Sequence, residues 1–347
     1  MKDITVLPTI TILQAMKKLE STAEKCLLVV NKDNNLIGTL TDGDLRRRIL
    51  SGASFSESVD KSMCAEPIYF FEDNFNNEEA KKLLKNKNIS LIPIVDKNQN
   101  VKDYISWSGI GKIKPQKSLD DVPVVIMAGG EGTRLKPFTN ILPKPLIPIR
   151  EKPIIEHIIE RFTAIFCNQF FLTVNYKGSI LKAFFEELQP DYTVSFIEES
   201  DPTGTAGSLS ALKGKINKSF FVTNCDIIIK VDYVDIYNFH RRGNYDLTLI
   251  ASAKEYVIPY GTCELNKEGH LSKINEKPRF DFLISTGLYV LKPDVINYIP
   301  DDKIYHMTDL IETLKREGKN VGVYPIDDNA LIDVGQWEEY KKALEQL

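Results

Sequence analysis

The sequence is poor in the residues that build disulfides, zinc sites and membrane spans. Its five cysteines, Cys26, Cys64, Cys167, Cys225 and Cys263, are far apart, odd in number and without a CxxC pair. That suits reduced thiols rather than a disulfide framework or a zinc cluster. The four histidines, His157, His240, His270 and His306, are equally scattered. With no second ligand at helical or hairpin spacing, each is expected at the surface or as a satisfied core residue, so any metal should rest on carboxylates. No apolar run reaches the roughly 18 residues of a membrane span, and the opening five residues lack the apolar stretch of a signal peptide. A cytoplasmic protein is expected. The net charge of -4 lacks the basic surplus that draws a protein onto nucleic acid or an anionic membrane, so neither is an expected partner, while a small anionic ligand is compatible.

What is present is an ordinary globular composition, 43% hydrophobic and 27% charged, in 347 residues, a length that points to two domains. The opening 110 residues align with themselves at a constant shift of 65 without a gap: Ala15 falls on Ala80, Leu19 on Leu84, Val29 on Ile94 and Val30 on Val95. Each half reads as an amphipathic helix, an apolar strand, a polar turn and a second strand, so two βαβ-like units should pack as one domain. Residues 38–47, Gly-Thr-Leu-Thr-Asp-Gly-Asp-Leu-Arg-Arg, are the strongest local signature. The arrangement resembles a pair of CBS domains over residues 1–113, an α+β regulatory module. The resemblance implies that Thr41 and Asp44 hold the phosphate and ribose of AMP or ATP. A carboxylate suits ribose hydroxyls, and a helix start with arginines nearby suits an anion. At the shifted positions the second unit has Ser106 and Gly109, so at most one good nucleotide site is expected. Bracing or dimerising the protein is the alternative role for the pair.

The stretch ending at Asp121 is polar, aperiodic and contains a proline, which sets the expected boundaries at 1–113, a linker at 114–121 and a second domain at 122–347. Beyond 122, strands alternate with helices. That predicts an α/β domain with a mainly parallel sheet and ligands at the carboxyl ends of its strands.

The first of these strands runs into Ala128-Gly129-Gly130-Glu131-Gly132-Thr133-Arg134, whose glycines let backbone amides approach an anion and whose exit should start a helix. It is not a Walker loop, since no Gly-Lys-Ser or Gly-Lys-Thr closes it, and Leu135 breaks a GxGxxG reading. The continuation is more specific: Arg134-Leu135-Lys136-Pro137-Phe138-Thr139, then Leu142-Pro143-Lys144-Pro145, then Lys152-Pro153-Ile154-Ile155-Glu156-His157. Over residues 122–347 the chain resembles the sugar-phosphate nucleotidyltransferases, which have a Rossmann-like fold.

That resemblance implies attack by a sugar 1-phosphate on the α-phosphorus of a nucleoside triphosphate, with pyrophosphate leaving, a reaction served by positioning and charge neutralisation. Ala128, Gly129, Gly130, Gly132 and Thr133 would line the nucleotide. Arg134 would clamp the departing phosphates and Lys144 would sit near the α-phosphate. Asp226 and Asp333 would hold Mg2+, which accepts a few carboxylates together with phosphate oxygens. On the sugar side, Lys277 would bind the phosphate and Glu276 a hydroxyl, beside Gly261, Thr286 and Gly287. Glu199, five residues before Gly204, falls at the base-recognising position. A carboxylate there accepts the N1 and N2 hydrogens of guanine together, so GTP is the expected nucleotide; Glu198 is the other candidate to face the base.

The union of CBS pair and transferase domain is similar to the bacterial glucosamine-1-phosphate guanylyltransferases of legionaminic acid synthesis. Mannose 1-phosphate is the alternative hexose 1-phosphate, since nothing legible separates an amine from a hydroxyl at the second carbon, and Ser285 stands where related enzymes commonly have Asn. A homodimer or higher homo-oligomer is expected. A non-catalytic regulatory subunit is the competing class, and without a hexapeptide-repeat tail no acetyltransferase activity is expected.

Overall fold

The computed structural model describes residues 3–346 apart from Ala23, Phe75, Asn76, Lys87, Asn88, residues 107–118, Ser200, Pro202 and Asp302. Within it the 65-residue spacing holds to the residue. Helix Ile12–Thr22 is answered by Asn77–Asn86, and strands Cys26–Val30 and Leu36–Thr41 by Leu91–Val95 and Val101–Ser106. Thr5–Val6 pairs parallel with Cys26–Val30, as Phe70–Phe71 does with Leu91–Val95, so each repeat is a three-stranded sheet with a helix. The central strands are buried along their whole length, which explains why they read as unbroken apolar runs. The repeats clasp each other at their turns: Leu36 N donates to Gln99 O (2.9 Å) and Val101 N donates to Asn34 O (3.1 Å), a reciprocal pair related by the same shift. Gly109 of the second repeat lies outside the described residues.

By mutual contact the chain forms two units, and the division differs from a single cut at a linker. One comprises Met1–Gln116, Ser252–Ile284 and Pro325–Asn329; the other comprises Lys117–Ala251, Ser285–Tyr324 and Ala330–Leu347. Side chains account for the grouping. Asp281 Oδ2 accepts from Ser54 Oγ (2.6 Å) and Phe55 N (2.8 Å), Arg46 Nε donates to Pro325 O (3.0 Å), and Ala253 is buried in the core of the first repeat. The expected linker is also shorter at its end. Leu119 is buried and its N donates to Ile165 O (2.9 Å), while 114–118 fall outside the described residues.

The second unit is built on the expected α/β sheet. Strand Val124–Met127 lies between Gln169–Val174 and Phe220–Asn224, parallel to both, and Thr193–Glu198 continues the parallel set beyond Gln169–Val174. Ser285–Leu291, the part of strand Arg279–Leu291 that belongs to this unit, joins antiparallel to Phe220–Asn224, followed by Leu247–Ala251 and Val321–Tyr324 of the next two strands. Helix Ile154–Thr163 buries Ile154, Ile155, Ile158, Ile159 and Phe162, one apolar stripe of a 3.6-residue period. Phe162 meets Phe170, Phe221 and Tyr233 edge-on or tilted, and burial of each such ring contributes about 2 kcal/mol. No helix among the described residues is long and apolar enough to cross a membrane.

Candidate active site

The four parallel strands end level: Met127 lies opposite both Thr173 and Asn224, and Val174 opposite Glu198. Residues just past those ends therefore meet at one edge, where α/β sheets bind ligands. Ala128 is buried, with its N bonded to Thr173 O (3.0 Å). A Cβ on Gly129 would stand 3.2 Å from Glu199 Oε1, and one on Gly130 would meet nothing within 4 Å. Gly132 has φ 64°, and a Cβ there would lie 2.8 Å from Thr139 Cγ2 and 3.1 Å from Lys144 Cβ, so only glycine fits. The expected helix at the loop's exit does not form. Thr133–Leu135 is a single 3-10 turn, followed by the turns Phe138–Asn140 and Lys144–Leu146, and the first α-helix after the loop is Ile154–Thr163. Pro137, Pro143, Pro145 and Pro148 remove the donors that an α-helix would need. Loop amides and the exposed Arg134, rather than a helix dipole, are what the segment offers an anion.

Asp226 stands one residue, Cys225, beyond the strand Phe220–Asn224. Ile227–Ile229 pairs antiparallel with Leu331–Asp333, setting Ile227 opposite Asp333, and Val334 N donates to Asp226 O (2.9 Å). This register brings the two aspartates together. A Cβ on Gly335 would stand 2.8 Å from Asp226 Oδ2, 2.9 Å from Asp333 Oδ1 and 3.3 Å from Lys144 Nζ, so three expected site groups converge where a side chain is missing. Gly335 N donates to Asp333 Oδ1 (2.7 Å), and Lys144 Nζ is ion-paired with Asp226 Oδ2. Burial raises the Asp333 carboxyl above its ordinary range and the Asp226 charge adds to it, against the Gly335 N–H and the Lys144 ammonium. Two carboxylates sharing one ammonium leave surplus negative charge in a half-buried place. That donor set fits Mg2+ with its remaining ligands from phosphate or water. The C-terminal helix Trp337–Gln346 fixes this end of the chain: Trp337 Nε1 donates to Lys136 O (3.0 Å), Tyr340 OH to Pro148 O (2.5 Å), and Phe138 packs on Trp337 at 5.1 Å.

On the opposite side of the loop, Thr203 donates through N (3.3 Å) and Oγ (2.8 Å) to Glu199 Oε2, leaving Oε1 beside Gly129. Glu198 is exposed and paired with Lys182. Of the two candidate carboxylates, only Glu199 stands at the loop. Gly204 opens the short helix Gly204–Gly207 against the backbone of Tyr305, to whose carbonyl Ala206 N and Gly207 N donate (2.9 and 3.0 Å).

A family model described as "Nucleotidyl transferase" matches residues 123–347. This chain belongs to the nucleotidyl transferase family. A second model, the CBS domain, matches residues 1–51. The mannose-1-phosphate guanyltransferase of Yarrowia lipolytica is 32% identical over 228 residues, 62% of this chain and 61% of that protein. Its namesake from Hypocrea jecorina is 35% identical over 186 residues, 50% of each. The chain thus spans between half and about three fifths of the length of these curated relatives. Among solved structures, HddC from Yersinia pseudotuberculosis matches with TM-score 0.52 and 28% identity, covering 65% of this chain and 99% of HddC. A structure of HddC complexed with GMP-PN matches with TM-score 0.52 at 27% identity, with the same coverage.

The remaining expected residues of this nucleotidyl transferase are more dispersed. Gly287 has φ 82°, and a Cβ there would lie 2.5 Å from Asn224 Nδ2, which brings the Thr-Gly motif against the strand leading to Asp226. The Thr286 hydroxyl is buried and turned into the sheet, donating to Ile250 O (2.9 Å). Gly261 and Glu276 are neighbours, 3.0 Å from Cβ position to Oε2, and Lys277 adopts φ 45°; all three belong to the unit containing the repeats. The five expected sugar-side residues are therefore divided between the two units. In the first repeat, Thr41 and Asp44 do meet, but on each other. Asp44 Oδ2 accepts from Thr41 N (2.8 Å) and Thr41 Oγ (2.6 Å), and Thr41 Oγ accepts from Asp44 N (3.2 Å), a capping box on helix Asp42–Leu50. A cavity of about 270 Å³ in the same unit is lined instead by Leu36, Ala65, Glu66, Pro67, Tyr69, Val95 and Gln99. Sequence reasoning missed Gly335, Thr203 and Asn224. Only Gly335 carried a signal, as a glycine two residues beyond a candidate metal aspartate.

Proposed function

We propose that this chain is a sugar-1-phosphate guanylyltransferase, joining GTP and a hexose 1-phosphate into a GDP-sugar with release of pyrophosphate. The observation that carries the reading is Glu199, a carboxylate held by Thr203 with one oxygen turned to the glycine loop, where it matches the adjacent donors of guanine. The relatives named mannose-1-phosphate guanyltransferases and the match to HddC in complex with GMP-PN support the same base.

In this reading the amides of Gly129 to Gly132 and the Arg134 guanidinium receive the β- and γ-phosphates. A phosphate oxygen of the sugar 1-phosphate attacks the α-phosphorus in line, and the bond to the pyrophosphate oxygen breaks. Lys144 takes up charge developing at the α-phosphate, with Lys277 assigned to the sugar phosphate, Glu276 to a sugar hydroxyl, and Gly261 and Gly287 to the sugar ring. Mg2+ held by Asp226 and Asp333 would neutralise the triphosphate and orient its leaving group.

For the acceptor, the names of the relatives favour mannose 1-phosphate, whereas the union of a CBS domain with the transferase domain favours glucosamine 1-phosphate. We assign AMP or ATP to the repeat pair, with bracing or dimerising as its alternative role, and a homo-oligomeric assembly to the chain. Pyrophosphate release from a matrix of the four nucleoside triphosphates and a panel of sugar 1-phosphates tests the reading. GTP with one hexose 1-phosphate should stand out. Release with another nucleotide would overturn the base assignment, and no release at all would favour a regulatory subunit.

A further inference from the structure

We propose that Lys144 is the resident counter-cation of the Asp226 and Asp333 pair, and that a divalent metal ion displaces it, releasing the ammonium toward the bound phosphates. The destination rests on the guanylyltransferase reading; the displacement does not.

The geometry is a convergence on one point. The position that a Cβ of Gly335 would take lies 2.8 Å from Asp226 Oδ2, 2.9 Å from Asp333 Oδ1 and 3.3 Å from Lys144 Nζ. Lys144 Nζ is ion-paired with Asp226 Oδ2, and both side chains are largely buried, at 14% and 19% exposure. A magnesium ion must approach a carboxylate oxygen to about 2.1 Å. An ammonium in contact with that same oxygen stands in the way, and repulsion between a dication and an ammonium at such range disfavours joint occupancy where water is scarce. The lysine has another place to go. Its stem runs past Gly132, with Cβ and Cδ 3.1 and 3.4 Å from that residue's Cβ position, so rotation of the outer stem keeps the amine beside the glycine loop. Gly335 makes the exchange workable, because any side chain there would fill the space through which the two cations trade positions. The pair is thus neutralised in part before metal arrives, and the lysine becomes available to phosphate only in protein that has taken up its metal.

The full-length protein, free of nucleotide, should be acylated briefly with acetic anhydride in the presence and absence of Mg2+, with labelling at Lys144 quantified by mass spectrometry against the exposed Lys267. Labelling at Lys144 should rise several-fold with Mg2+ while Lys267 stays level. In parallel, Lys144→Met should bind Mn2+ about tenfold more tightly than the parent without nucleotide, read from the loss of free Mn2+ signal in electron paramagnetic resonance, even as turnover falls. Level or reduced Lys144 labelling as Mg2+ is added, Mn2+ binding by Lys144→Met no tighter than the parent's, or no Mn2+ binding by either protein would each overturn the displacement. Increased labelling in a protein that releases no pyrophosphate from GTP would instead keep the displacement and remove the guanylyltransferase reading.

Discussion

Asp44 in the first repeat and Asp226 in the transferase unit both lie just beyond the end of a strand, and both fall in motifs that suggest a nucleotide phosphate nearby. Their surroundings are opposite in kind. Asp44 is satisfied by Thr41 and Arg47, neighbours within three residues in the chain. Asp226 meets Val334 and Gly335, brought from far away by strand register, and Lys144, brought by the turn Lys144–Leu146. A local capping box closes on itself whatever the rest of the fold does, and contributes about 1 kcal/mol to its helix. Two carboxylates forced together against their own repulsion, with one ammonium between them, retain a demand for positive charge. Proximity to a motif does not make a site; unmet electrostatic demand does.

That contrast can be broken most directly at the carboxylates. Asp226→Asn or Asp333→Asn should lower turnover by about a hundredfold or more, and chelation of divalent metal should abolish it. Asp44→Ala, by contrast, should leave turnover within a factor of two of the parent; a comparable loss in an assay of pyrophosphate release would erase the distinction. Gly335→Ala should weaken Mn2+ binding by about tenfold or more, since a Cβ would press on both carboxylates, and retention of parental affinity would show that the pair does not need the vacant position. Glu199→Gln should reduce the preference for GTP over UTP by about tenfold, the loss expected when a charged hydrogen bond becomes a neutral one; an unchanged ratio of kcat/KM values would break the guanine assignment. The smallest effect belongs to the capping box. Thr41→Ala and Asp44→Ala should each cost about 1 kcal/mol in thermal or denaturant melting. If AMP or ATP raises the parent's melting temperature and Asp44→Ala abolishes the rise, the box is also a nucleotide site. A parent indifferent to both nucleotides fits the bracing role.

Much of this was legible beforehand. The repeat appears in the structure at its sequence spacing because equivalent strands carry equivalent burial, Cys26–Val30 against Leu91–Val95. The strand leading into Ala128 and the helix Ile154–Thr163 also form where alternation and apolar periodicity place them. The helix expected after the glycine loop failed because four prolines outweighed the motif's general habit. By mutual contact Ser252–Ile284 groups with the repeats, through Asp281 with Ser54 and Phe55, contacts between segments that no local pattern connects. Gly335 was half legible: its place beside Asp333 was in view, but not the reason for its being glycine.

By itself, the sequence determined the order of elements, the repeat, the glycine loop and the set of charged residues worth testing, since each depends on side-chain period or on chemistry within a short window. Only the tertiary structure decided which of those charges are left with unmet partners. Thr41 and Asp44 are closed by a few backbone angles, whereas Asp226 and Asp333 meet through the two-stranded pairing of Ile227–Ile229 with Leu331–Asp333 and Lys144 reaches them from the turn Lys144–Leu146, contacts between segments far apart in the chain that no short window of sequence connects.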